Sequence, residues 1–452
     1  MDRYDLVIIG AGPAGEAAAY AGRERGASVA VIDRDLFGGA CPFFACMPSK
    51  SLLHSAAVHA AGGDYPWRKA SDRRDWMISR EGRDYPDDSS HIKDLEVAGA
   101  VAMRGTARLN GAGRVVVTHD GAVHELEAGA VILAIGSHSK IPTDMPGLAE
   151  VPYWTNRQAT SARELPDSLL ILGAGPTGTE LAQVYARYGV PVTLVVPSGR
   201  ILPRDHPRTS AVVAAALERD GVVIRTGGRA VAAHARAGSN GRHLFDLDDG
   251  TTVEGAAVLL AIGRTYPITD IGLETVGVDT SSGRLSPDDQ LRIAPGVFVA
   301  GDPAGPEMHT HLSHYQGDMA ARIALGEEVK PDYRAIPRAV YTDPETGSVG
   351  LLLEEALAKG IDAEELTQEL ADTAKGQAAD AVGHVTIVID RAAGTLVGAF
   401  LAGPGASEAV HEAVLAVKLE TPLAVLADMI HAFPTVARVL GLLFAKAAKP
   451  RA

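Results

Sequence analysis

The stretch GGACPFFACMPSK, residues 38–50, holds both cysteines of a 452-residue chain, Cys41 and Cys46. Two cysteines this close point to metal binding, a structural cross-link or redox exchange. A zinc site needs about four ligands, and no nearby His or Asp/Glu pattern completes one. A structural disulfide here would close too small a loop to restrain the unfolded chain much. A redox-active pair is left, with two buried apolar thiols on one helix as the competing reading. On a regular helix, residues five positions apart have Cα atoms about 8.7 Å apart. A disulfide wants them within about 7 Å, so an unbroken helix is excluded. Pro42 disfavours helical geometry at Cys41 and suits the first position of a helix. Cys41 is therefore expected to cap a helix and Cys46 to lie inside its start, where the dipole lowers a thiol pKa.

The elements that position this pair come from a pattern written twice. YDLVIIGAGPAGEAAAYAGRERGASVAVIDR begins near residue 4, and SLLILGAGPTGTELAQVYARYGVPVTLVVP near residue 168. Each reads as apolar strand, Gly-x-Gly-x-x-Gly, amphipathic helix and second apolar strand, the opening of a dinucleotide-binding unit. Gly10, Gly12 and Gly15 in the first copy, and Gly173, Gly175 and Gly178 in the second, permit the tight turn. They also let a pyrophosphate reach the helix N-terminus. The first unit closes on Asp33, placed to accept from a ribose 2′-hydroxyl. The second closes on Val195, Val196 and Pro197 with no acid, followed by Ser198 and Arg200. Without a carboxylate the usual ribose clamp for NADH is missing and a 2′-phosphate is not repelled, so NADPH is the expected nicotinamide.

Further along, GAVILAIGSHSKIP (129–142), AAVLLAIGRTYP (256–267) and GVFVAGDPAG (296–305) read as strands ending in glycine turns. The polar stretch 62–90 reads as a solvated helix and loop, with Arg73 and Arg74 as candidates to touch a substrate anion. From residue 336 short strands alternate with helices without another glycine fingerprint. The net charge of −14 argues against nucleic acid or an anionic membrane as partner. No apolar run approaches a membrane span, and the N-terminus enters a strand without a signal-peptide pattern. With two cysteines only, a reducing cytoplasm is expected, where a disulfide is more often catalytic than structural.

Together these motifs resemble the flavin-dependent pyridine nucleotide–disulfide oxidoreductases, the group of lipoamide dehydrogenase, glutathione reductase and mercuric reductase. The resemblance runs nearly end to end. It includes the family's cysteine motif at Gly38, Gly39, Cys41, Cys46, Pro48, Ser49 and Lys50, although Pro-Phe-Phe-Ala replaces the usual middle. It implies an α/β fold with two Rossmann-like domains for FAD and NAD(P) and a C-terminal α/β dimerisation domain. The expected boundaries are 1–150 and 266–335 for the two parts of the FAD-binding domain, 151–265 for the NAD(P)-binding domain and 336–452 for the interface. It implies FAD on the first glycine-rich unit, NAD(P)H on the second, a homodimer and a small-molecule substrate. Cys46 resembles the cysteine beside the flavin and Cys41 the one exchanging with substrate. Lys50 and Glu180 resemble the ion pair near flavin N5, where a fixed cation stabilises the reduced anionic flavin. Asp302 resembles the acid that binds the ribityl chain, and His311 lies where the isoalloxazine is usually contacted. The remaining flavin positions are Pro13, Ala14, Arg34, Ala40, Ala107, Ala134, Gly136 and Gly301; Thr177 and Gly263 join the nicotinamide set. His309, His311 and His314 are weighed as metal ligands and set aside for want of a carboxylate or cysteine partner.

The sequence departs from the family at its C-terminal end. Disulfide reductases of the family carry His-Pro-Thr followed by a Glu, an acid/base dyad donated by the partner subunit. Here HAFPTVARVL (431–440) puts Phe433 at the histidine and Arg438 at the glutamate. A positioned base contributes about 10²–10⁴ in rate, so fast lipoamide or glutathione turnover is not expected. His431 is weighed as a substitute, although two positions along a helix turn it to another face. Mercuric reductase uses a second C-terminal cysteine pair, which AKAAKPRA lacks. Phe43, Phe44 and Phe433 suggest a more apolar pocket than the glutathione or lipoamide enzymes have, although buried packing explains phenylalanines equally well. The leading expectation is an NAD(P)H–FAD enzyme with an active Cys41–Cys46 couple serving a thiol, disulfide or small electrophile. The alternatives are direct reduction of quinones or dyes by flavin, and a non-catalytic redox-responsive flavoprotein.

Overall fold

Each glycine fingerprint sits between a buried apolar strand and a helix, in a computed structural model that describes residues 2–79 and 86–449. Asp2–Ile9 leads through Gly10 and Gly12 into the helix Pro13–Glu24. Leu169–Leu172 leads through Gly173 and Gly175 into the helix Pro176–Arg187. The two turns repeat the same steric requirement. Gly10 and Gly173 have φ of +103° and +105°. A Cβ on Gly10 would stand 2.3 Å from the Ala134 carbonyl oxygen, and one on Gly173 2.4 Å from that of Ala261. Any side chain there would collide with the end of the neighbouring strand. Both helices start at a glycine N-cap with no side-chain cap and with proline in the first turn. Their leading N–H groups are thus left for an anion.

The chain gathers into two compact units. The first comprises Met1–Ser49, Ser71–Lys140 and Gly263–Asp332. Its sheet runs Arg292–Ala294, Val297–Val299, Ala122–Leu133, Asp2–Ile9, Val29–Asp33, Val101–Arg104 from edge to edge. The hairpin of Thr106–Leu109 and Arg114–His119 pairs onto the long strand. From Val297–Val299 to Val101–Arg104 neighbours are parallel, with Leu6 beside both Val29 and Ala130. Leu6, Val7 and Ile8 are fully buried, so the strand reads as an unbroken apolar run rather than an alternation. Helices Pro13–Glu24 and Thr310–Ala324 pack on this sheet around Ala14, Ala18, Met319 and Ala320.

The second unit comprises Lys50–Ala70, Ile141–Ile262 and Tyr333–Ala452. It contains a parallel sheet in the order Val223–Thr226, Val192–Val196, Leu169–Leu172, Ala257–Leu260, and an antiparallel three-stranded meander over 230–255. Its third sheet is antiparallel, in the order Arg338–Val340, Thr346–Gly350, Thr395–Ala402, His384–Asp390, Ala363–Glu369. The helices Ala406–Lys418 and Val436–Ala447 bury their apolar faces against it. The α/β architecture with two Rossmann-like sheets and a C-terminal α/β region is as the sequence implies.

The polar stretch 62–90 departs from the expectation of a solvated segment, as far as its described residues go; 80–85 lie outside them. Trp67–Ser79 is a helix that buries Trp67, Ala70, Ile78 and, with no exposed area at all, Arg74. Arg73 is exposed, but Arg74 is paired with Asp75 at 2.6 Å. A buried, paired guanidinium is not on offer to a substrate anion. The charge run conceals a buried face, because Trp67, Ala70, Arg74 and Ile78 recur at helical spacing, while Trp76 on the opposite face stays exposed.

In the second unit His384 is fully buried, its Nε2 3.0 Å from the Thr209 hydroxyl and its Nδ1 2.9 Å from that of Thr386. Burial, and then the charges of His206 and Arg208, lower its pKa to about 3. The unfolded chain takes up a proton near its ordinary value of 6.5, which the folded chain refuses. Stability from this residue is complete above that value and is lost as pH falls toward 3. We predict a loss of about 1.4 kcal/mol per pH unit across that window, removed in His384→Gln and read as the wild-type-minus-variant difference in urea unfolding.

Candidate active site

The cysteine segment is built from two helices rather than one. Ala40–Phe44 is a short helix whose N-cap is Gly39, and Cys46–Ala60 is a second that begins at Cys46. They are separated by Ala45, at φ −130° and ψ −97°. Cys41 therefore lies within the first helix instead of capping it, which corrects the expectation drawn from Pro42. Gly38 and Gly39, both at positive φ, turn the chain early enough for the helix to start at Ala40. Pro42 then falls in the first turn, where the N–H it lacks would have had no partner anyway. Cys46 does open a helix, and the break at Ala45 supplies the departure from regular geometry that a disulfide needs.

Both cysteines are half-buried and both are thiols in this structure. The hydrogen bond to Cys46, followed by burial, pushes the Cys41 thiol up. Two thiols in contact resist carrying two negative charges, so the pair releases one proton far more readily than a second. Cys46 Sγ also lies 3.2 Å from Oγ1 of Thr310, the first residue of the helix Thr310–Ala324. A hydroxyl at a helix N-terminus favours a thiolate beside it. Sequence reasoning missed Thr310, although it stands between His309 and His311, two residues that the motifs single out.

Several of the dinucleotide candidates of the first unit lie close together, among them Gly10 with Gly15 and Ala134, Gly12 with Gly39, and Ala14 with Gly301. Gly12 and Gly39 approach so closely that a Cβ on Gly39 would be 2.7 Å from the Gly12 Cα. Asp33, at the end of its strand, accepts from the N–H groups of Ala11 and Asp35 at 2.7 Å each, and burial raises its carboxyl pKa. A carboxylate keeps lone pairs beyond those two bonds. Pro13, Ala14 and Gly15 form the uncapped helix start, Ala40 begins the cysteine helix, Ala107 and Ala134 are buried, and Gly136 follows its strand at positive φ. Gly301 lies against Ala14, with 3.3 Å between a built Cβ and that methyl. Asp302 bonds the Ser137 hydroxyl and lies 3.5 Å from the Arg264 guanidinium, two partners not anticipated. An uncapped helix N-terminus, glycines without room for side chains and an acid at the second strand end are residues that fit FAD. Arg34 is exposed, and His311 is exposed and stacked on His309 at 5.0 Å. His309 bonds Glu307 at 2.8 Å. Among the described residues no cluster of three or more His, Cys, Asp or Glu side chains is spaced for a metal ion.

In the second unit Lys50 Nζ bonds both carboxylate oxygens of Glu180, at 2.8 and 3.0 Å. Glu180 is 5% exposed and Lys50 35%. Tyr341 completes the pair, its N–H donating to Glu180 at 3.0 Å while Lys50 sits over its ring at 4.6 Å. Gly175, Thr177 and Gly178 start the helix Pro176–Arg187, and Gly263 is exposed at φ +121°. Ser198 donates to the Arg200 carbonyl at 2.9 Å. The Arg200 guanidinium bonds the carbonyls of Pro203 and Asp205, at 2.8 and 3.0 Å, and so is tied into its own loop.

Phe43 and Phe44 do not line a pocket. They are 2% and 8% exposed and pack with Ile78, Leu36 and Met77. Phe433, by contrast, is 74% exposed. The His431 side chain is 4% exposed, bonds Glu412 at 2.8 Å, and lies so close to Gly441 that a Cβ there would stand 2.5 Å from its ring.

With this geometry in view, comparison with known proteins is direct. Residues 4–317 match the model of the pyridine nucleotide-disulphide oxidoreductases, and 336–443 match the dimerisation domain of the same family. A dihydrolipoyl dehydrogenase of Halobacterium salinarum is 33% identical over 95% of this chain and 93% of its own. The solved LpdA of Mycobacterium tuberculosis superposes with a TM-score of 0.88 at 27% identity, covering 99% of this chain and 100% of that one. The HOCl-induced flavoprotein disulfide reductase RclA of Escherichia coli shares the fold, with a TM-score of 0.86 at 23% identity over 98% and 99% of the two chains. The chain belongs to the pyridine nucleotide–disulfide oxidoreductase family and is a flavin disulfide oxidoreductase with a dimerisation domain.

The burial of His431 yields a prediction about the base. His431→Gln should lose about 1–3 kcal/mol of stability through its broken bond to Glu412. Turnover per bound flavin should stay within about two-fold, since a buried ring cannot reach a substrate. A drop of about 100-fold with the fold intact would reinstate it as the base.

Proposed function

We propose that the chain is an NAD(P)H-dependent FAD oxidoreductase whose Cys41–Cys46 couple exchanges electrons with a thiol, a disulfide or a small electrophile without a histidine base from a partner. The observation that carries this reading is the cysteine segment itself, broken at Ala45 and with Thr310 on the Cys46 sulfur. When bound, FAD supplies a two-electron relay between nicotinamide and the disulfide. Gly10, Gly12, Pro13, Ala14, Gly15 and Asp33 would hold its adenosine diphosphate part, with Asp302 at the ribityl chain. Lys50, fixed by Glu180, would place a cation near the flavin ring.

The thiols then act in a balanced exchange. A Cys41 thiolate attacks one sulfur of a substrate disulfide and releases the other as a thiolate. Cys46 attacks Cys41 in turn, re-forming the Cys41–Cys46 disulfide and releasing the second substrate thiol. Two electrons have passed to the substrate, and its two sulfurs take protons from the cysteine thiols or solvent. With Phe433 and Arg438 at the positions of the family's dyad, the leaving sulfur must depart without a protein acid. That favours substrates with low-pKa thiols or activated electrophiles and disfavours dihydrolipoamide, despite the relatives' named activity.

A homodimer is supported by the matched dimerisation domain and by apolar side chains exposed in that region, among them Leu415, Leu419, Val425, Ile430 and Leu442. In such a dimer Phe433 would face the other subunit's cysteine pair. The absence of an acid after Val196 still favours NADPH over NADH, but only weakly, because Arg200 is committed to its own loop. We place the protein in the cytoplasm, where reduced thiols are the rule.

Anaerobic titration of the holoenzyme with NADPH tests the central claim. A long-wavelength thiolate-to-flavin absorption at two electrons, absent in Cys46→Ser, is the expected outcome. Immediate bleaching without that band would favour direct quinone or dye reduction, in which case Cys41→Ser would leave turnover unchanged. The double substitution Phe433→His, Arg438→Glu should raise dihydrolipoamide turnover at least about ten-fold, toward the range a positioned base supplies.

A further inference from the structure

Outside the groups assigned so far, one histidine touches three parts of the site at once. His91 lies on the helix Ser89–Val97. Its Nδ1 is 2.7 Å from Oε1 of Glu16, in the first turn of the dinucleotide helix Pro13–Glu24. Its ring sits directly on Gly38, where a built Cβ would be 2.7 Å from Cε1 and 2.8 Å from Nε2. The same ring meets Phe43 edge-on, 5.6 Å between centroids. Gly38 and Phe43 bracket Cys41 on either side. The N-cap of the histidine's helix adds a second hold, since Asp88 accepts from the Phe37 N–H at 2.8 Å and pairs with Arg104 at 2.5 Å.

We infer that His91 is a positioning residue for the redox pair, fixing the Gly38–Phe43 segment against the dinucleotide helix and thereby setting how readily Cys41 and Cys46 join. The inference rests on the reading that these cysteines form a redox couple. The residue has means to do this. Glu16 bonds the imidazole directly, and Glu16, Asp94 and Asp88 together hold its pKa above the ordinary value. The bond to Glu16 is therefore kept as a charged one over more of the neutral range. Only a glycine at position 38 admits the ring so near the backbone, and its N–H adds a bond to the Ala11 carbonyl at 2.7 Å. Disulfide formation demands a narrow range of Cα separation and sulfur torsion, so a small displacement of the short helix Ala40–Phe44 changes the exchange equilibrium strongly.

The test uses the FAD-loaded protein equilibrated with dithiothreitol of varied oxidised-to-reduced ratio, the thiol state of Cys41 and Cys46 being read by alkylation and mass spectrometry. His91→Leu removes the bond to Glu16 and the aromatic edge; His91→Gln keeps an amide donor. Leu95→Ala, in the same helix and fully buried, is the control that loosens the helix while keeping the histidine. The expected result is a change of at least about five-fold in the exchange constant for His91→Leu, a smaller change for His91→Gln, and none beyond about two-fold for Leu95→Ala. A folded, flavin-loaded His91→Leu with a constant within about two-fold of wild type overturns the inference. So does an equal shift in Leu95→Ala, which would reduce the effect to helix stability. A wild-type pair that never oxidises in any buffer would instead sink the redox reading on which the inference stands.

Discussion

Two cysteines five positions apart on an unbroken helix cannot be joined, and much of the first unit is arranged around that fact. The chain must break between them without unravelling. Gly38 and Gly39 bring it in early, Ala45 takes the irregular backbone, and a long helix restarts at Cys46 and carries Lys50 one turn on. A break of this kind is costly unless its flanks are pinned. Phe43 and Phe44 supply the pin by burial against Ile78 and Met77, and His91 supplies another from the opposite helix. The aromatic middle of the motif is then a foundation, not a substrate surface.

The same economy appears in the duplicated nucleotide unit. At Gly10 and at Gly173 the space for a side chain is taken by the carbonyl of the residue that follows the adjacent strand. The two copies also share a glycine N-cap with proline directly after it, so that each helix presents bare N–H groups. They diverge at the end of the second strand. Asp33 faces the turn and holds the Ala11 N–H, whereas Val196 runs into a loop in which Arg200 serves backbone carbonyls.

How much of this was legible in the sequence depended on whether the relevant contacts were local. The glycine turns, the apolar parallel strands and the cysteine spacing are short-range patterns, and each led to the element found. The preference of the residue before proline puts the helix start two residues late, because the two glycines ahead of it decide where the chain turns in. Long-range partners were not legible. Nothing adjacent to Arg74 announces that it is fully buried, nothing near Thr310 points to a sulfur 264 positions away, and His91 and Glu16 meet across 75. Phe43 and Phe44 could be read as pocket or as core, and only the fold decides between them.

Phe433 occupies a different physical position from the buried Phe43 and Phe44. It is 74% exposed, while the neighbouring His431 carries the local packing through Glu412 and Gly441. Within this chain the aromatic ring contributes little to packing. A side chain so placed can be exchanged for an acid, a base or an inert group with little thermodynamic penalty to the fold. The choice of side chain at that position is thereby uncoupled from the folding of the chain that carries it.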